Sequence, residues 1–385
     1  MAEKLDTQGK RLRLPWKYDK DHINSGRQPE LDFFKARMIM ELAVVHVFVQ
    51  ATPDEVLDRI GIPYFFDSIM GGPFGPPGFL FAMGIGLAYS GRDDAKHLAA
   101  RGLRILWIGF CLNIFRALLP YLTGFLITKD AAYYLEPLPY LIFGNDILQF
   151  AGLGMFFMAL LQFLKVPKAG LLLIGALMNI IGTMIKGCDT GNIALNILLG
   201  HVIGIREDTG VLSEFPLLHW FIVYAAGYVF GDYDRHLVDK KAFYRYVSPV
   251  CGLFSITVVA IEMITGSGMM GGEGANVFYH VNPLDVVVCI SISFGLLGLF
   301  CALKDLWPAW LMRIVESISR NVNTVYLIQW VLVVWIIQVG LRTITGSAYS
   351  DHYFAEILLG ICLGIVSVLL AEAWTRWKKK RKKKA

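Results

Sequence analysis

Three features of this sequence predict an all-α polytopic membrane protein, a bundle of about ten transmembrane helices with both termini cytoplasmic. The first is composition. Of 385 residues, 55% are hydrophobic and 17% charged, where soluble domains carry roughly 25% charged residues, and the mean hydropathy is +0.53. The second is patterning, because apolar stretches of about 20 residues recur along the whole chain between short polar loops. The third is charge placement: with the N-terminus inside, 30 of the 36 Lys and Arg residues fall on the cytoplasmic side, as retention of positive charge in the cytoplasm requires.

The spans are read at 33–51, 71–90, 105–127, 140–164, 170–187, 215–233, 247–265, 285–303, 322–341 and 354–374. Residues 1–32 form a polar tail without the apolar core of a signal peptide, so the first span is expected to stay in the mature protein. Residues 33–374 form one transmembrane domain, and 375–385 a basic tail. That tail, in "RWKKKRKKKA", abuts a membrane helix and is read as an anchor on anionic headgroups rather than a nucleic-acid site. Two outer segments, 52–78 and 187–215, are longer than turns, and the second holds an apolar piece suited to a half helix in the interface. No internal repeat or second domain is evident. The six cysteines are scattered, five of them in apolar spans and none in a CxxC pair. A disulfide framework or zinc site is therefore not expected, and no metal is.

Ionisable groups inside a bilayer are costly and mark candidate sites. His46 lies about 13 residues into the first span, roughly 20 Å from its inner end. A neutral imidazole there can serve as a general base, its unperturbed pKa being about 6.5; the plainer reading is a histidine hydrogen-bonded in the core. Gln50, one turn on, shares its face. Glu41 is about 140° away around the helix and is not expected to be its partner. Arg116, about 12 residues into the third span, and Asp146, about 6 into the antiparallel fourth, reach similar depth, so an ion pair is predicted there. Asn113 and Gln149 would extend it by i−3 and i+3 spacing. The pair either ties two helices together or serves the chemistry directly. Glycines 78, 84 and 86 permit close helix packing or leave room for a bound chain. His219 is a further candidate ligand to substrate at the outer face, whereas His22, His97 and His236 fall on the cytoplasmic side and His201, His280 and His352 near the outer side. No HExxH, GxSxG or P-loop pattern occurs.

Five stretches in chain order carry a family resemblance. "LDFFKA" (Leu31–Ala36) stands where an "LDxLRG" motif opens the first span, and ten residues separate Lys35 from His46. "GFLFAMGIGLAYSGR" (Gly78–Arg92), "FGNDILQFAGLGMFFMALL" (Phe143–Leu161) and "FPLLHWFIVYAAGYVFGD" (Phe215–Asp232) follow. "SRNVNTVYLIQW" (Ser319–Trp330) resembles a "GxxSLxxYLxH" pattern. The series, over about residues 27–375, resembles the transmembrane acyltransferases: acyltransferase family 3 and the related heparan-alpha-glucosaminide N-acetyltransferase-like proteins. Lys35 replaces the family's arginine, Ala36 its glycine and Gln329 its histidine.

The resemblance implies transfer of an acyl group, by default acetyl, from cytosolic acyl-CoA to a hydroxyl or amine of a glycan or other envelope acceptor at the outer face. His46 would be the base. Lys35, Arg37 and the loop carrying Arg92, Arg101 and Arg104 would meet the CoA phosphates; Gln50, Asn113, Arg116, Asp146, Gln149, His219 and Gln329 would line the substrate path. The 11 helical steps from Lys35 to His46 rise roughly 17 Å, about one acyl-pantetheine length. The expected setting is the plasma membrane, with lipids as neighbours, no nucleic-acid partner and a homo-oligomer left open. Two other classes compete: a proton-coupled transporter using Arg116, Asp146 and His46 as a relay, and a noncatalytic member of the same fold.

Overall fold

The computed structural model describes residues 14–92, 94–270, 276–350 and 352–382, so the first 13 residues of the expected N-terminal tail and the last three of the basic tail lie outside it. Among the described residues all extended regular structure is helical, and the pairings outside helices are isolated bridges such as Tyr18 with Leu237. The main helices are α1 (Pro29–Ala51), α2 (Pro76–Ser90), α3 (Ala95–Thr128), α4 (Ile147–Phe163), α5 (Lys168–Ile185), α6 (Leu217–Arg235), α7 (Lys240–Thr265), α8 (Pro283–Leu303), α9 (Ala309–Arg320), α10 (Val322–Thr345) and α11 (Tyr353–Lys382). Helices lie in all ten predicted ranges. Six of them, α3, α5, α7, α8, α10 and α11, are long and apolar enough to cross a membrane; α2 and α4 are shorter, and α1 and α6 more polar.

The axis of the bundle is α1, around which α2, α8, α9, α10 and α11 pack. Phe34, Met38, Ile39 and Phe48 are fully enclosed on it, together with the polar Glu30, Asp32 and His46. Small residues set the spacing of the other pairs. A Cβ on Gly84 would stand 2.3 Å from the Tyr224 carbonyl oxygen, and one on Gly227 would stand 2.1 Å from that of Phe81, so α2 and α6 touch backbone to backbone. Gly78 likewise packs, against Met38 and Phe34, whereas Gly86 faces open space.

Besides helices that begin earlier than predicted, such as α3 at Ala95 and α7 at Lys240, the chain departs from the predicted boundaries in three notable places. Pro76 and Pro77 occupy the first turn of α2, where a missing N–H costs nothing, so this helix starts five residues later than 71. The range 140–164 breaks at Gly144 to Asp146, between the short helix Leu138–Phe143 and α4. Asn145 there donates its N–H to the Leu212 carbonyl at 3.1 Å and pairs with Ser213, which docks the outer segment 187–215 onto the break. Within that segment the apolar piece forms the short helix Ile193–Leu199. Finally, α11 runs on to Lys382, so part of the basic tail extends the last helix, with Trp374 and Trp377 stacked at 4.9 Å.

Candidate functional site

His46 sits in the unbroken part of α1, facing α10. Its ring stacks on Trp330 at 3.6 Å between centroids and meets the edge of Tyr326 at 6.1 Å. Gln329 sets its Nε2 3.3 Å from the imidazole Nδ1 and leaves its own Oε1 buried without a partner. With the amide in that orientation Nδ1 accepts and Nε2 carries the ring proton. Rotating the amide by half a turn, an assignment heavy-atom positions do not distinguish, lets Oε1 accept from Nδ1–H. The orphaned oxygen gains a partner, and the Nε2 lone pair becomes free to take a proton.

Arg116 also lies over the Trp330 ring, its guanidinium carbon 4.7 Å from the ring centroid. The predicted ion pair is present, with Arg116 NH1 2.5 Å from Asp146 Oδ2. How Arg116 gets there was not visible in the sequence. Residues 114–118 form a π turn inside α3, and such a bulge re-aims side chains and recurs at functional sites. Arg116 Nε also donates to Asn113 Oδ1 at 3.1 Å, while the Asn113 amide donates to the carbonyls of Ile142 and Gly144 across the break.

Asp146 differs from expectation in its setting. It is the N-cap of α4 rather than a residue inside a continuous helix, and its carboxylate accepts from the Ile147 N–H at 2.5 Å. Gln149 completes the capping box by accepting from the Asp146 N–H at 3.3 Å, so its i+3 spacing acts through the cap. The Tyr326 hydroxyl donates to the same carboxylate at 2.9 Å.

Six predicted residues therefore come together: His46, Gln329, Arg116, Asp146, Asn113 and Gln149. Gln50 lies one turn further out, where it accepts from Gln338 Nε2 at 3.0 Å. Gln338 sits in a second π turn, residues 335–341, and also accepts from the Tyr133 hydroxyl at 2.5 Å. His219 does not join the cluster: it is fully buried at the start of α6, its Nδ1 3.0 Å from the Val281 carbonyl, and stacks with His280. Lys35 and Arg37 occupy the opposite end of α1, Lys35 3.8 Å from Asp32 and Arg37 paired with Glu41 and donating to the Phe74 carbonyl at 3.2 Å. Arg92, Arg101 and Arg104 are exposed. A groove of about 980 Å³ along α7 and α8 and a hollow of about 410 Å³ beside it do not border the imidazole.

Sequence reasoning passed over Trp330, Tyr326 and Glu214. The first two stood inside a quoted motif, at i+1 and i−3 from Gln329. Glu214 belongs to the outer segment and comes close to Arg116 and Asp146 through the Asn145 bridge, its N–H donating to the Asn145 carbonyl at 3.3 Å. Burial and the neighbouring Asp146 carboxylate push its own carboxyl up to about 8, against the pull of Arg116.

A buried imidazole in contact with an amide and an indole, with a buried guanidinium–carboxylate pair beside that indole, gathers acidic and basic groups in the interior of an apolar helical bundle. A family model described as an acyltransferase domain matches residues 28–373, nearly the whole chain. The protein belongs to that family, acyltransferase family 3, and with six helices of membrane-crossing length it is a membrane acyltransferase. A search of curated proteins gives no match.

Proposed function

We propose that this protein moves an acyl group, by default acetyl, from cytosolic acyl-CoA to a hydroxyl or amine of a glycan or other acceptor at the outer face of the plasma membrane, with His46 as general base. In this reading the ten predicted ranges all span and both termini are cytoplasmic. The observation that carries it is the convergence on His46 of Gln329, Trp330 and the Arg116–Asp146 pair.

The acceptor O–H or N–H gives its proton to imidazole Nε2 as its oxygen or nitrogen attacks the thioester carbonyl. The C–S bond then breaks, and the CoA thiolate leaves with the proton from the imidazolium. Gln329 Oε1, accepting from Nδ1–H, holds the required tautomer. Arg116, paired with Asp146 and lying over the same indole, lends its positive field to the developing oxyanion. Lys35 and Arg37, with Arg92, Arg101 and Arg104, take the CoA phosphates at the inner end. The 11 steps of uninterrupted α1 between Lys35 and His46 rise roughly 17 Å, which suits a pantetheine arm laid along it. His219, outside the cluster, would act only from the acceptor side.

Trp330 covers one face of the imidazole, so a turnover cycle in this reading requires that indole or the Gln329 amide to swing aside. The same covering favours the noncatalytic alternative. Purified protein in detergent, given acetyl-CoA beside its His46→Ala variant, separates the readings. Hydrolysis or transfer lost in the variant supports the enzyme; CoA binding without turnover supports the noncatalytic member; neither supports a transporter.

A further inference from the structure

Along the side of the bundle away from His46, α7 and α8 enclose a groove of about 980 Å³. Its floor is made of small residues, Gly252, Gly295 and Ser248, and its walls of apolar ones such as Leu296 and Leu299. A Cβ on Gly252 would meet nothing within 4 Å. The neighbouring Val250, Leu253 and Ile256 are well exposed, as on a surface that faces lipid. At the N-terminal end of α7 the groove reaches Lys241 and Arg245, and through Asp239 and Lys241 it adjoins a second, polar hollow of about 410 Å³ that Arg27, Lys240 and Lys304 also line. Together they are amphiphilic, a cationic head chamber beside an apolar trough.

The charges at the mouth are unequally occupied. Asp239 caps α7 by accepting from the Ala242 N–H at 2.9 Å, and Lys241 pairs with Asp305. Lys240 is held by Asp234 and Glu30, Lys304 by Glu30, and Arg27 by Asp32 and Glu316. Arg245 is exposed, and among the described residues no carboxylate pairs with it. Length also discriminates. The 15 helical steps from Lys241 to Ile256 rise about 22 Å, and one leaflet with its headgroups, half of a bilayer ~40–45 Å thick, is about as deep.

We infer that this groove binds an anionic phospholipid of the leaflet on the basic side of the protein, its phosphate on Arg245 and Lys241 and one acyl chain along Gly252 and Gly295. The site is separate from the His46 centre, because the groove does not border the imidazole, and it is independent of which acceptor the enzyme uses. Anionic lipid at basic juxtamembrane residues is favoured electrostatically; the groove adds a place for the chain.

The test is native mass spectrometry of the purified full-length protein, titrated separately with phosphatidylglycerol, phosphatidylcholine and CoA. Phosphatidylglycerol should bind with an apparent Kd several-fold below that of phosphatidylcholine. Arg245→Ala should weaken phosphatidylglycerol about fivefold, the loss of one charge contact, and leave phosphatidylcholine unchanged. Gly252→Trp should fill the trough and remove binding of both. Equal affinity for the two lipids, or phosphatidylglycerol binding untouched by Arg245→Ala, overturns the inference. So does displacement of the lipid by CoA, which would make the groove a donor site. Arg245→Ala is a surface change and keeps the test decisive if the tryptophan variant does not fold. His46→Ala should bind lipid as the parent does, so loss of transfer and loss of lipid binding are read separately.

Discussion

The two ends of α1 each bury a set of ionisable groups, and they are built on opposite principles. At the inner end Glu30 is shared by Lys240 and Lys304, Asp234 is taken by Lys240 and the Tyr89 hydroxyl, and Asp32 accepts from Arg27 and Ser319. Every one of these carboxylates meets a cation, and the network ties α1 to α6, α7, α8 and α9. Around His46 the ion pair behind Trp330 is equally well made, but the imidazole has one long contact and the Gln329 oxygen none. The inner network also leaves Glu30 Oε1 and Asp234 Oδ1 without a hydrogen bond, so what separates the two ends is charge: carboxylates matched by cations hold a fold in one arrangement, whereas a buried imidazole with no counter-charge of its own is a group that chemistry can use. In the proposed reading the inner end is a clamp and the outer end the site.

Substitutions can break that contrast. His46→Ala should lower transfer by about 10²–10⁴-fold, the usual worth of a positioned base, with unchanged elution and melting; a variant that keeps parental turnover would remove the general base from the scheme. Lys240→Ala should do the reverse. It leaves Asp234 and Glu30 buried beside too little positive charge and should cost about 3–5 kcal/mol of stability, read as a lower melting temperature, while turnover per folded molecule survives. Loss of turnover at full stability would make the inner end part of the catalytic apparatus.

A smaller effect sharpens the outer half of the comparison. Gln329→Ala should lower kcat about tenfold, since it removes only the group that sets the tautomer, with KM for acyl-CoA little changed. Gln329→His, which restores a ring able to bond Nδ1, should recover most of it. A rise in KM alone would show that Gln329 touches substrate.

The sequence was most legible where one helix holds the answer. The apolar repeats located the helices, and the opposed depths of Arg116 and Asp146 foretold their pair. What it hid came from irregular backbone. The π turn that aims Arg116 inward, the break that makes Asp146 a cap, and the bridge bringing Glu214 close all depend on tertiary docking, which has no period to read. Trp330 was hidden differently: an indole in an apolar helix is ordinarily packing, and only its contact with both His46 and Arg116 distinguishes it.

Glu214 gives the smallest and most selective prediction. Its carboxyl titrates near 4.5 when free of its surroundings and is pushed up to about 8 in the fold, burial being the first cause and Asp146 the second. Between those values the folded protein keeps a proton that the unfolded chain has released. The stability this proton confers is therefore lost as pH rises through the window, and above about 8 the folded state carries the whole cost of a charged carboxylate beside Asp146. Glu214→Gln fixes the protonated shape. Its melting temperature should match the parent's near pH 4.5 and exceed it increasingly toward pH 8, measured in detergent by intrinsic fluorescence. Parallel curves for the two proteins would mean that Arg116 neutralises Glu214 as well as Asp146. The outer cluster would then be as fully charge-matched as the inner one, and the distinction between clamp and site would rest on the imidazole alone.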